Sequence, residues 1–245
     1  PDEIVEIQGT QYGDIFPVAR LHGSSTGISG KDYQRDPDGN VICDANGYPT
    51  INPAKGIYIG NREPDFLLGI GSTFRYKNAT LSFLLDSRKG GDVVNVTGRG
   101  LVSSGMNHLY GKYRNREYIV DGVQAVTASD GTVSYVKNTT PVVLDQHFIN
   151  KYYSTVSSNF IEDGSYLRLS YVALAYDFTP MMKRGWAVKG LSVTFTGRNL
   201  FLLTKYTGND PAILASTAGG TGGMGIDHYA VPASRSFNFT LKATF

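Results

Sequence analysis

The chain has 245 residues and a formal net charge of +2, and 18% of its residues are charged. Soluble globular proteins carry roughly a quarter of charged residues, so this fraction is low. No dense run of lysine and arginine occurs, so the sequence has no electrostatic footprint for nucleic acid. The single cysteine, Cys43, excludes an intrachain disulfide and a cysteine-rich metal site.

The first predicted elements are a weak strand and a small hairpin. Residues 4–12 alternate only in part between apolar and polar side chains. Two turn sequences, 36–40 and 44–47, flank Val41-Ile42-Cys43. They predict an external hairpin closed by Asp-Gly and Asn-Gly turns.

The first of these turns also contains oxygen-bearing side chains. Asp36, Asp38 and Asn40 are weak candidates for calcium ligands. The EF-hand spacing with a glutamate at its last position is absent, so plain turn chemistry is the preferred interpretation.

The next element is a hairpin of two long strands. Residues 66–76 alternate between mostly apolar and mostly small or polar side chains, and residues 81–86 alternate in the same way. Lys77-Asn78-Ala79 makes a tight reversal between them. The pattern therefore predicts a β-hairpin with a short turn.

The strand at residues 166–178 changes phase near its middle. Leu167 and Leu169 occupy one phase of the alternation, whereas the later apolar residues, Val172 to Phe178, occupy the other. One extra residue near Ser170-Tyr171 returns all of them to one face. We therefore predict a β-bulge at that point.

Two further strands are predicted at residues 191–199 and 236–245. The second alternates strictly over its whole length and ends on an aromatic residue, and outer-membrane barrels commonly close on such a strand. Its apolar face includes the residues expected to act during insertion: Phe237, Phe239, Leu241 and Phe245.

The charged residues of these strands share the face opposite the apolar one. A lysine or arginine that faces lipid at mid-membrane costs about 2–4 kcal/mol, but costs little in a water-filled lumen. If the strands span a membrane, the expected lumen-facing residues are Arg75, Arg168, Arg198 and Lys242. A soluble sandwich shows the same alternation, so the pattern alone leaves both architectures open.

The connection lengths favour a barrel. The connections after Tyr76 and Phe178 are short, whereas residues 87–165 and 200–234 form long ones. Outer-membrane barrels alternate short periplasmic turns with long extracellular loops. The aromatic residues at the short-turn end predict a periplasmic girdle: Tyr76, Tyr176, Phe178, Trp186 and Phe245.

No catalytic motif is present. The four histidines are widely spaced and fall in predicted loops, and neither a His-x-x-x-His pair nor a Gly-x-Ser-x-Gly elbow occurs. We predict that the protein is not an enzyme and needs no cofactor.

An ordered series of motifs resembles the SusC/RagA family of TonB-dependent importers. Residues 58–66 (YIGNREPDF) are similar to the family's "IGNPNPDF" signature, although Arg62-Glu63 departs from it. Residues 162–169 resemble its "D-x-SYLRL" strand entry, and residues 196–211 resemble its "GxNLF…TxYxGxDP" block. The order and spacing of the motifs cover nearly the whole chain, with a divergent stretch at 93–160.

The resemblance implies a fold and a function. The fold is an all-β antiparallel wall segment, residues 1–245, from the C-terminal part of a plugged 22-stranded barrel in the bacterial outer membrane. The plug and N-terminal strands, with the segment that contacts the TonB system, are expected outside this chain. The implied function is import of a glycan or oligopeptide together with a SusD-like lipoprotein. Loop residues expected to contact ligand or lid are Tyr110, Tyr113 and Tyr118.

Two other functions stay open at this stage. One is a secreted carbohydrate-binding β-sandwich, which predicts a closed apolar core within these residues. The other is a small self-contained outer-membrane barrel with a structural or adhesion role. Such a barrel needs at least about eight strands, and the candidates for the missing pair are residues 118–123 and 133–136.

Overall fold

The computed structural model describes residues 4–6, 14–20, 25–183, 185–212 and 225–245. It separates into two compact units. The long-strand unit comprises Pro64–Gly91, Asp163–Ile213 and Val231–Phe245, and the mixed unit comprises Pro1–Glu63, Asp92–Glu162 and Leu214–Ala230.

The described chain is built mainly of strands. In chain order these are β1 (Ile4–Glu6), β2 (Phe16–Arg20), β3 (Gly27–Gly30), β4 (Ile42–Cys43), β5 (Ile57–Asn61), β6 (Pro64–Tyr76), β7 (Ala79–Gly90), β8 (Asp92–Asn95), β9 (Glu117–Ile119), β10 (Val123–Thr127), β11 (Val133–Lys137), β12 (Pro141–Val143), β13 (Ile161–Asp163), β14 (Tyr166–Asp177), β15 (Gly190–Thr204), β16 (Ile226–Asp227) and β17 (Ser236–Thr244). The helices are α1 (Val96–Ser103), α2 (His108–Tyr113) and α3 (Gln146–Phe148), with a π-helical turn at Ile149–Tyr153 and 3₁₀ turns at Ser157–Phe160 and Thr179–Met181. None of the helices in the described ranges is both long enough and apolar enough to cross a membrane.

The long-strand unit is one antiparallel sheet in the order β17-β15-β14-β7-β6. The predicted hairpin is confirmed: β6 and β7 pair from Tyr76 opposite Ala79, and Lys77 in the turn has a φ of 51°. The antiparallel all-β fold class that the alternation and the family resemblance predict is therefore confirmed.

The predicted bulge in β14 is also confirmed. Leu169 pairs with Leu85 of β7, but Tyr171 pairs with the adjacent Leu84, so Ser170 is an extra residue. The extra residue restores the phase, because Val172 then stands opposite Phe83 on the same face as Leu169 and Leu85. A single residue thus keeps the apolar face of β14 continuous.

Two predicted strand ends were wrong. Strand β15 continues past Asn199 to Thr204. Asn199 has a φ of 52°, and Asn199 and Leu200 have only Ser170 opposite them in β14. The alternation and the pairing are both interrupted there, and the pairing resumes at Phe201. Strand β7 continues past Asp86 to Gly90. This end was missed because residues 87–90 are polar or glycine and show no alternation.

The weak strand predicted at residues 4–12, the expected sixth strand of the barrel wall, does not join the five-stranded sheet. Its described part, β1, pairs with β2 in a four-stranded sheet, β1-β2-β3-β5, of the mixed unit. Alternation shows that a segment is extended but not which sheet it joins. Residues 7–12 lie outside the described residues.

The predicted long loop at residues 87–165 is largely structured. The mixed unit contains a β10–β11 hairpin that also pairs with β4, and an antiparallel pair of β9 with β12. The predicted hairpin at residues 36–47 is present, with Arg35 bridged to Val41 and Cys43 bridged to Pro49. Two buried apolar clusters hold the unit: Val102, Val142, Phe148, Ile149 and Phe160 form one, and Ile15, Ile28, Val94, Val96 and Ile226 form the other.

Candidate functional site: an amphipathic sheet and an apolar cleft

One face of the five-stranded sheet is apolar and largely uncovered. Cross-strand registers align its residues, as in the row Phe74, Leu81, Leu174, Phe195 and Phe239. Phe74 is 59% exposed and Phe239 70% exposed. Aromatic rings also pair across strands on this face, with centroids 6.2 Å apart for Phe74 and Phe83. A continuous apolar face of this kind is typical of a surface that meets lipid or another protein.

The opposite face carries glycines, hydroxyls and charges. Thr73 and Ser82 lie within hydrogen-bond distance, 3.0 Å between hydroxyl oxygens, and the Ser170 hydroxyl donates to the Asp86 carboxylate. The registers place three of the predicted charged residues on this face: Arg75, Arg198 and Lys242. The sheet therefore has one mainly polar and one mainly apolar face.

Arg168, the fourth predicted residue, lies on the same polar face but is neutralised. Its guanidinium is 2.5 Å from Asp210, and the two side chains are only 14% and 5% exposed. The guanidinium also lies 5.2 Å from the Tyr166 ring centroid, and Asp210 accepts a hydrogen bond from the Ala212 amide. Asp210 belongs to a motif noted in the sequence, but its pairing was not predicted.

The five predicted girdle aromatics lie at one end of the sheet. Tyr76 and Tyr176 both stand opposite Ala79, and the Tyr176 and Phe178 rings lie 4.6 Å apart. Phe245 follows Thr244, which pairs with Gly190 at the same end, and Trp186 lies in the connection that leads to Gly190.

The sheet has two edges that pair with no other strand among the described residues. β17 pairs only with β15, and β6 only with β7. Phe237, Phe239 and Leu241 of β17 lie on the apolar face at one of these edges. A strand edge in a membrane requires a partner because lipid cannot satisfy its backbone groups.

The mixed unit contains a cleft of about 440 Å³. Two of the three predicted loop tyrosines, Tyr113 and Tyr118, line it. Tyr110 belongs to α2, but its side chain lies outside the described residues. The other lining residues are mostly apolar: Tyr33, Val41, Pro49, Val102, Asn107, Val120, Asp121, Leu144, Phe148, Ile149, Tyr153 and Asn159.

Asp36, one of the three calcium candidates, uses both carboxylate oxygens in turn hydrogen bonds. One Asp36 carboxylate oxygen accepts from the Asn40 amide at 2.7 Å, and the other accepts from the Asn40 side chain at 2.9 Å. Asp38 lies exposed in the same turn. In the described part of the chain, no three His, Cys, Asp or Glu side chains cluster as metal ligands do.

An ion pair links distant segments of the mixed unit. Asp14 accepts from Arg99 at 3.1 Å and from the Ser157 hydroxyl at 2.5 Å, and Arg99 also donates to the Ser154 carbonyl at 2.7 Å. Partial burial acts to raise the pKa of Asp14, but the Ser157 hydrogen bond and the Arg99 charge together hold that pKa below its ordinary value.

We expect Asp14→Asn to weaken the mixed unit by about 1–3 kcal/mol at neutral pH, because Arg99 loses its charged partner. Because the pKa of Asp14 is lower in the folded protein than in the unfolded chain, the charged carboxylate stabilises the fold at pH values above the unfolded pKa of about 3.9. This stabilisation is lost as the pH falls through the pKa that Asp14 has in the folded protein. The protection factors of the amides at residues 154–160, which correct for the intrinsic exchange rate, should therefore fall below about pH 4 in the unmodified protein and be low already at pH 7 in the variant. Asp38→Asn, in an exposed turn, is the control. Equal exchange in both variants at pH 7 would contradict the assigned role of Asp14.

Comparison with known proteins agrees with this architecture. No family model matches the chain. The chain is 25% identical over 245 residues to TonB-dependent receptor P3 of Formosa agariphila, covering 98% of the chain and 21% of that receptor. It is 28% identical over 217 residues to TonB-dependent receptor P26 of the same organism, covering 86% of the chain and 20% of the receptor. It is 25% identical over 217 residues to TonB-dependent receptor SusC of Bacteroides thetaiotaomicron, covering 87% of the chain and 18% of that receptor.

Solved structures show the same fold. The RagAB peptide transporter superposes with a TM-score of 0.58 over 99% of the chain and 24% of the matched chain, at 15% identity. The RagAB peptide importer in its closed-closed state superposes with a TM-score of 0.54 over 94% of the chain and 26% of the matched chain, at 16% identity. At these identities the likeness concerns the fold alone.

The chain spans about a fifth of the length of the relatives that it matches. The sequence matches extend over nearly all of the chain, and the fold matches cover the same length. Over nearly all of its length, the chain is similar in sequence to TonB-dependent receptors that include SusC, and similar in fold to the RagAB peptide transporter.

Proposed function

We propose that this chain forms part of an outer-membrane barrel wall in a TonB-dependent importer for a large nutrient, a glycan or an oligopeptide. The observation that carries the proposal is the five-stranded sheet with one exposed apolar face, one polar face and two edges that pair with no other strand in the described part of the chain. In such a wall the apolar face meets lipid and the polar face lines the lumen. Import of this kind makes and breaks no bond in the cargo, so we propose no enzymatic activity.

The named relatives support a more specific arrangement. We place the chain as the C-terminal part of a plugged barrel of about 22 strands, with the plug and the other strands supplied by the rest of the protein. Arg75, Arg198 and Lys242 then face the lumen, and the aromatic girdle lies at the periplasmic interface. A SusD-like lipoprotein covers the extracellular side, and the TonB system drives opening of the plug.

The two other functions have less support in the structure. A sandwich requires the apolar face to be covered by a second sheet, yet Phe239 on that face is 70% exposed. A small closed barrel requires further strands beside β6 and β17. The candidate segments instead lie in β9, β10 and β11 of the mixed unit. There β9 pairs with β12, and β10 pairs with β11 and with β4.

The experiment is uptake by intact cells with and without the gene for the complete protein. Fluorescent oligopeptides and oligosaccharides are offered separately, in cells with and without a functional TonB system. We expect one class of cargo to enter only when both the protein and TonB are present. Uptake that is unchanged by loss of the protein, together with its extraction from cells without detergent, would contradict the proposal.

A further inference from the structure

The cleft of the mixed unit has the dimensions of a binding site. Its volume of about 440 Å³ lies within the roughly 300–1,000 Å³ typical of ligand sites. Val102, Phe148 and Ile149, all buried in one of the apolar clusters, contribute to its lining. Tyr113 and Tyr118, which are 41% and 44% exposed, present their rings beside it. The site thus combines a packed apolar lining with accessible aromatic rings.

Several polar groups of the wall are already satisfied by the protein. The Tyr33 hydroxyl donates to the Tyr152 carbonyl at 2.7 Å and accepts from the Asn159 side chain at 2.8 Å. The Asn159 amide also donates to the Tyr153 carbonyl at 3.0 Å. Burial raises the pKa of Tyr33 to about 12, so this phenol stays neutral. The Tyr33 hydroxyl and the Asn159 amide are therefore already engaged within the protein.

One charged side chain lines the cleft. Asp121 is exposed there, and no hydrogen bond or ion pair joins its carboxylate to another described residue. Lysine and arginine are absent from the described lining. An uncompensated carboxylate beside apolar and aromatic walls favours a cation, which the tyrosine ring faces also attract.

From these features we propose that the cleft binds an aromatic or large aliphatic group that carries an ammonium group beside it. The apolar group packs on Val102, Phe148 and Ile149 and stacks on Tyr118, while the ammonium pairs with Asp121. That such a group belongs to the imported cargo rests on the proposed function, but the binding itself does not.

The test uses the complete protein in detergent and ligand-detected fluorine NMR. The probes are para-fluorophenethylamine, its neutral N-acetyl derivative and a fluorinated glucose. We expect the amine to bind most tightly, the acetylated form more weakly, and the glucose not measurably. Empty micelles correct for partition of the apolar probes into detergent.

Two variants with matched controls locate the site. Asp121→Asn should weaken binding of the amine by up to about fivefold, as for an exposed ion pair, and leave binding of the acetylated form unchanged. Tyr118→Ala should weaken binding of the amine and of its acetylated form by roughly three- to tenfold. The controls are Asp130→Asn, in an exposed turn, and Tyr135→Ala, on an equally exposed strand outside the cleft; neither should change binding.

The outcomes separate this inference from the proposed function. Binding of the amine that is insensitive to Asp121→Asn and Tyr118→Ala, or preferential binding of glucose, overturns the assignment of the cleft. Uptake is measured in cells, and binding is measured on purified protein. If the purified protein binds the amine at this site but cells show no uptake that depends on the protein and on TonB, only the transport proposal is contradicted.

Discussion

Replacing Leu85 with arginine is expected to block stable assembly of the protein in the outer membrane. Leu85 lies on the apolar face of β7, between Ile70 of β6 and Leu169 of β14. Six residues separate Ile70 from Tyr76 at the aromatic end, or about 20 Å along the strand. At a strand tilt of about 40° this is about 15 Å of depth, near the middle of an apolar band about 25 Å tall.

An arginine at that depth and facing lipid costs about 2–4 kcal/mol. The measurement is the amount of folded, heat-modifiable protein recovered from outer membranes. Leu84→Arg is the matched control, because Leu84 is the next residue of β7 and faces the polar side, opposite Gly71 and Tyr171. Equal recovery of the two variants would mean that the apolar face does not meet lipid.

The second large effect is expected at the ion pair of Arg168 and Asp210. The pair is almost wholly buried on the polar face of β14. Removing one member leaves the other charge uncompensated, so Asp210→Ala should cost about 3–5 kcal/mol. We expect residues 205–212 to detach from the strand, with a large rise in their hydrogen exchange.

The control for this prediction replaces both charges. The double variant Arg168→Met with Asp210→Leu should recover most of the loss, because an apolar pair of similar volume is often as stable as a buried ion pair. A single variant no more dynamic than the unmodified protein would contradict the anchoring role of the pair. So would a double variant whose exchange is as fast as that of the single variant.

Local alternation was sufficient to predict the long strands. Residues 66–76, 81–86 and 236–245 each repeat with period two, and the phase change after Leu169 located an extra residue that the pairing confirms. The end of β7 was missed because its last residues are mostly polar. The end of β15 was missed because the register shifts at Asn199, which has a positive φ, before the pairing resumes at Phe201.

The mixed unit was much harder to predict. Its strands are two to five residues long, and several pair with partners far along the chain, as β4 does with β10 and β8 with β16. Period-two patterns of that length carry little information. Tyr113 and Tyr118 were predicted as loop residues that contact ligand or lid. No pattern indicated that Tyr33 and Asp121 share their cleft, because long-range packing brings these residues together.

The measurement that tests the central claim most directly is photolabelling from within the bilayer. The complete protein in native outer membranes is exposed to a lipid-soluble diazirine, and the labelled residues are identified by mass spectrometry. We predict that label concentrates on the apolar face, at Phe74, Phe83, Phe195 and Phe239, and is absent from Thr194, Thr196 and Thr240 on the polar face. Equal labelling of the two faces, or no labelling of either, would contradict a membrane-spanning sheet.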